Sequence, residues 1–317
     1  MINITDLSLT VLTLFIIVIV SFIAAKTKLI NDTFTKGFST FIICVAQPFM
    51  IMSALSGIEF SLENLKKGFT VTGLGFISLG ICAAVGFLVT KPFKDLNDRK
   101  IGTFGLVFAN TGFMGIPVLK ALFGDIGGFY GAFFIITFHA VLWTYGMLLL
   151  AKGRDDIKVK PLNLLLNFGT IPVLIGILLY VLPFDLPEPV TQAMDMLSSI
   201  CAPGSMVIVG SILASISLKE LLLDWKAYVI CAVRLLVLPA LICGIAVLCR
   251  LSDEMVYLFT TLTALPCATN CTMYAQKYDI SPGLAAKTAS LTTLLSVGTV
   301  PLMINFAKLL LSIRGNG

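Results

Sequence analysis

The 317-residue chain is 57% hydrophobic and only 12% charged, with a mean hydropathy of +0.99. Soluble domains carry about 25% charged residues, so this composition cannot supply a water-facing shell, and lipid is the chain's main solvent. The net charge of +5 comes with no basic patch interleaved with aromatics, which argues against a nucleic-acid partner and fits a Lys and Arg bias in cytoplasmic loops.

Taken in chain order, ten apolar runs reach the roughly 20 residues that a bilayer crossing needs. They cover about 7–25, 36–57, 69–90, 101–122, 128–151, 161–182, 193–215, 227–249, 255–276 and 284–311. The first follows Asp6 rather than a basic segment and reads as a retained helix, not a cleaved signal. The connections are short and leave no room for a soluble domain. Odd-numbered connections hold 15 of the 22 Lys and Arg, against 6 in the even-numbered ones and the termini. The bias predicts odd loops in the cytoplasm and both termini outside, in a plasma or inner membrane. The eight cysteines lie in or beside apolar runs, form no CxxC pair, and read as small core residues.

Two features recur at one offset. Pro48 in span two and Pro203 in span seven lie 155 residues apart and mark expected helix breaks or hinges. Span four is interrupted by Asn110-Thr111-Gly112-Phe113-Met114-Gly115-Ile116-Pro117, and span nine, about 155 residues later, by Pro266-Cys267-Ala268-Thr269-Asn270. The chain therefore reads as an all-α polytopic protein of two five-helix repeats, 1–155 and 156–317. Five is odd, so the second repeat enters from the opposite side and the repeats are inverted.

Irregular backbone survives in hydrocarbon only when buried in protein or lining a watery cavity. The two interruptions are thus expected to face each other near the midplane, where freed amides and half-helix N-termini suit an anion. Asn110, Thr111, Gly112, Gly115, Pro117, Pro266, Thr269 and Asn270 are the expected substrate-binding residues, with Gln47 beside Pro48 either lining the site or packing. Arg234 lies inside span eight, where a lone cation is costly. It reads either as a counter-charge for the substrate or as a structural group that satisfies helix-end carbonyls. His139, the one histidine, reads as a proton-coupling group or as a satisfied interior side chain. No Asp or Glu lies deep in a span, which disfavours cation exchange. No Walker A sequence, nucleophile triad or metal-ligand cluster is present, so neither an enzyme nor a cofactor is expected.

The segment FANTGFMGIPVLKALFG resembles the span-four signature of the auxin efflux carrier family, which includes bacterial malate and malonate permeases. LPCATNCTMYAQKYDISPGLAAKTASLTTLLSVGTVPLM is similar to spans nine and ten of the same family. The resemblance implies a fold like that of bile-acid transporters and sodium/proton antiporters, with crossed broken helices four and nine. It also implies elevator transport of an organic carboxylate and a homodimer paired through a scaffold, here expected to be spans one, two, six and seven. Carried over by residue, Asn110, Gly112, Gly115 and Pro117 form the first crossover segment, and Pro266 and Asn270 the second. The plant carriers' long cytoplasmic loop is reduced here to about Ala151–Lys160. Two alternatives stay open: a cation/proton-coupled antiporter on the same fold, and a membrane sensor that binds a ligand without transporting it.

Overall fold

The computed structural model describes residues 4–154, 169–182, 186–215 and 224–315, and every regular element among them is a helix. The first part of the chain forms α1 (Ile4–Lys26), α2 (Asp32–Phe41), α3 (Gln47–Ser56), α4 (Leu62–Thr90), α5 (Leu96–Val107), α6 (Ile116–Phe123), α7 (Asp125–Val141) and α8 (Met147–Ala151). The remainder forms α9 (Thr170–Val181), α10 (Glu188–Ser215), α11 (Trp225–Ala232), α12 (Leu238–Leu248), α13 (Asp253–Ala264), α14 (Thr269–Lys277) and α15 (Pro282–Gly315). Several starts are written locally, with Asn31, Ser61, Asp95, Asp224 and Ser252 each accepting a hydrogen bond from the first helical turn.

Prolines shape the helices without always ending them. The π turns Ile42–Ala46, Thr111–Gly115 and Val233–Val237 are each followed, at the second position of the next helix, by Pro48, Pro117 or Pro239. A proline ring crowds the carbonyl four residues back, and the wider π turn relieves that crowding. The helix consequently runs on from α2 through Pro48 into α3, and α10 runs continuously through Pro203. Neither residue interrupts its helix.

Among the described residues, seven helices, counting those joined through a π turn as one, are long and apolar enough to cross a membrane. The other three expected runs differ. The run at 101–122 appears as α5 and the segment Thr111–Phe123, and the run at 255–276 as α13 and α14. The run at 161–182 is represented by α9, its first residues and the expected repeat boundary at 155 lying outside the described residues. Large apolar side chains such as Leu12, Ile16 and Ile23 on α1 and Phe76, Phe87 and Leu88 on α4 are exposed. Each would cost about 25 cal/mol per Å² in water and costs nothing in lipid.

Two groups of helices are visible. In one, α1 lies along α10, and α3 packs on α9 and α10. Gly210 permits the close α1–α10 contact, since a Cβ there would come within 2.5 Å of the Val18 carbonyl oxygen. In the other, α4 packs on α5 and α7, and α15 on α11, α13 and α14. Thr137 Oγ1 donates to the Thr72 carbonyl at 2.7 Å, and Thr72 Oγ1 to the Phe133 carbonyl at 3.1 Å, tying α7 to α4. Asp98, paired with Lys226 and accepting from Ser281 Oγ at 2.6 Å, joins the ends of α5, α11 and α15.

Candidate functional site

Helical geometry stops at Val107 and resumes at Thr111, and stops again at Ala264 and resumes at Thr269. The two linking stretches pair antiparallel at Ala109 and Cys267. The Asn110 N–H donates to the Pro266 carbonyl at 2.8 Å, and the Ala268 N–H to the Phe108 carbonyl at 2.9 Å. Proline fits at position 266 because the pairing uses only its carbonyl. The Cys267 N–H is satisfied by Thr292 Oγ1 at 3.1 Å. Together these bonds answer the demand that buried backbone groups find partners.

The electrostatics follow from which helix ends meet here. α5 and α13 end at the pairing, and the segment from Thr111 and α14 begin there. Arg234, on the π turn between α11 and α12 and only 1% exposed, donates from Nη1 to the Leu106 carbonyl at 2.7 Å and from Nε to the Leu265 carbonyl at 3.1 Å. One guanidinium therefore serves the carboxyl ends of both α5 and α13. Each helix end carries about half an elementary charge, so Arg234 offsets the two negative ends and leaves the two positive ends in excess. The Asn110 carbonyl accepts from Met114 and Gly115, and the N–H groups of Gly112, Phe113, Thr269 and Asn270 are not consumed by any of these bonds.

Side chains around the pairing are buried and partly unpaired. Asn110 is 2% exposed, and its Nδ2, like Thr111 Oγ1, has no partner among the described residues. Gly115 packs against Thr111 and Leu265. Gly112 makes room for Gln47: a Cβ there would sit 2.5 Å from Gln47 Nε2. Gln47 in turn lines a cavity of about 260 Å³. Its walls are Ile43 and Gln47 from the second helix, His139, Leu142 and Trp143 from α7 and its π turn, Gly169 before α9, and Asn270, Met273, Tyr274 and Lys277 from α14. Among the described residues, Lys277 is the only Lys, Arg, Asp or Glu in that lining. A second cavity, about 440 Å³, lies at the far ends of α3, α9 and α10; it contains Glu59 and Asp195 and none of the expected site residues.

The family model described as membrane transport protein matches residues 6–304. The chain belongs to this family, as its resemblance to the auxin efflux carriers implies. It is similar to an uncharacterized transporter of Methanocaldococcus jannaschii, 26% identical over 92% of this chain and 96% of that protein. It is also similar to a protein of Rhizobium meliloti named "Putative malonate transporter", 24% identical over 83% of each chain. The family and the apolar helices make this a multi-pass membrane transporter rather than an enzyme.

Of the residues singled out in this membrane transporter, Gln47, His139 and Asn270 share the cavity, while Asn110, Thr111, Gly115, Pro266 and Thr269 lie buried at the pairing beside it. Arg234 touches helix-end carbonyls and is absent from the cavity lining. Pro48 and Pro203 do not line the cavity either. Sequence reasoning passed over Lys277 and Tyr274, although a helical face drawn from Asn270 reaches both. It also counted Lys100 among the loop cations. Lys100 is instead 2% exposed, with Nζ donating to the Leu150 carbonyl at 3.1 Å.

Proposed function

We propose that this protein is a secondary carrier of small organic carboxylates such as malate or malonate, binding them where helices four and nine break and cross. The observation that carries the reading is the arrangement of charge at the crossing. Arg234 caps both carboxyl ends, no bond among the described residues consumes the first N–H groups of the two amino ends, and the described lining of the adjoining cavity contains a lysine and no carboxylate. Such a site favours an anion and disfavours the cation of an antiporter. The name of the Rhizobium relative points to the same class of substrate.

The wider architecture belongs to the same proposal. Ten spans form two inverted repeats, 1–155 and 156–317, each contributing one broken helix. The group of α1, α2 with α3, α9 and α10 is the scaffold, through which two copies pair as a homodimer, and the remaining helices are the elevator. With the lysine-rich odd loops in the cytoplasm and both termini outside, the Lys277 end of the cavity faces inward. His139 in the cavity wall is placed to couple a proton, if one is carried.

Thermal unfolding of the purified protein tests the binding class. Malonate and malate should raise the unfolding temperature saturably, with sodium and lithium salts of a non-carboxylate anion giving no shift. Stabilisation by those cations alone would contradict the reading.

A further inference from the structure

Four residues of the cavity lining follow one helix face. Asn270, Met273, Tyr274 and Lys277 stand at i, i+3, i+4 and i+7 of α14, so a single stripe of that helix forms one wall. At one end of the stripe lies the helix start at Thr269, with Asn270 in its first turn and Gln47 sharing the lining. At the other end lies Lys277, whose Nζ sits 5.2 Å from the centroid of the Tyr278 ring. Asn270 and Lys277 are seven positions apart, about 10 Å of helix rise. The lysine stem is long and flexible, so turning its ammonium from Tyr278 toward the helix start would shorten that gap.

His139 lines the same cavity. His139 is 8% exposed, and neither of its ring nitrogens has a hydrogen-bond partner among the described residues. The imidazole lies against Gly169, where any Cβ would overlap it. An unpaired imidazole at that depth costs free energy that a polar ligand in the cavity would recover.

We infer that Lys277 binds the second carboxylate of a short dicarboxylate and thereby sets the preference for dianions over monocarboxylates. The inference rests on the carrier reading above. One carboxylate takes the α14 start, through the free N–H groups and the Asn270 and Gln47 amides, and the other pairs with the Lys277 ammonium. A monocarboxylate gains only the first set of contacts.

The test is the saturation of uptake of labelled malonate and labelled pyruvate into liposomes, for wild type, Lys277→Gln and Lys277→Arg. Wild type should favour malonate. Lys277→Gln should raise the malonate KM about tenfold or more, the loss of one charge-assisted contact, and leave the pyruvate KM within about twofold. Lys277→Arg should stay near wild type. Lys277 is exposed, so folding is not at risk, and matching size-exclusion profiles would verify this. A wild type that favours pyruvate, or a Lys277→Gln variant that changes both KM values alike or neither, overturns the assignment and leaves the carrier reading standing. Absence of saturable uptake of either compound by folded wild type defeats the carrier reading, and the inference with it.

Discussion

Asn110 shows how one side chain can be separated from its own backbone. Its N–H and carbonyl hold the antiparallel pairing and the following turn, bonding to Pro266, Met114 and Gly115. Its side-chain Nδ2 has no partner among the described residues. Asn110→Ala keeps every backbone bond and loses no side-chain partner, so the variant should fold and express like wild type. Carboxylate uptake should nonetheless fall about tenfold or more, the worth of one charge-assisted hydrogen bond to the substrate. Unchanged uptake by a well-expressed variant would remove Asn110 from the site. The residue was legible from sequence because an Asn among two glycines and a proline has no ordinary use inside an apolar helix. Lys277 was not, because a lysine at a helix end already had an explanation in loop charge bias.

Helix ends meet at the Ala109–Cys267 pairing in a way that only long-range contacts define. Asn, Gly and Pro at 110–117 and 266–270 announced where helical geometry would lapse, and it lapses at Phe108–Asn110 and Leu265–Ala268. Pro48 and Pro203 carried the same local signal without the same outcome, since a π turn absorbs the first and α10 runs through the second. A proline removes one donor, and whether the helix then lapses depends on its neighbours. For Arg234 the sequence left a counter-charge and a helix-end role open, and long-range contacts decide for the second, since its partners Leu106 and Leu265 lie 128 and 31 residues away in sequence. Arg234→Met leaves both carbonyls without this donor, at about 1–3 kcal/mol each. Arg234→Lys restores the charge but replaces the two-pronged fork with a single point donor. Unfolding temperature in detergent should therefore rank wild type above Lys and Lys above Met. A Met variant as stable as wild type would show that the guanidinium does not hold the two helix ends.

For the whole molecule, composition alone placed the chain in lipid, and exposed apolar faces on α1 and α4 agree with that placement. Which helices pack together was beyond the sequence, because every span is apolar enough to face either lipid or a neighbour. The α1–α10 and α3–α9–α10 contacts support the expected grouping of spans one, two, six and seven. The cavity lies between that group and the helices bearing the crossing, its walls drawn from the second helix and the α9 start on one side and from α7 and α14 on the other. A substrate bound there would touch both groups, as the proposed elevator cycle requires if one group is to sense occupancy of the other. The most direct test of the account is uptake of labelled malonate into liposomes containing the purified protein, under an imposed potential and pH gradient. The account predicts saturable uptake that unlabelled malate competes away. Folded protein that takes up no carboxylate under any gradient would contradict it.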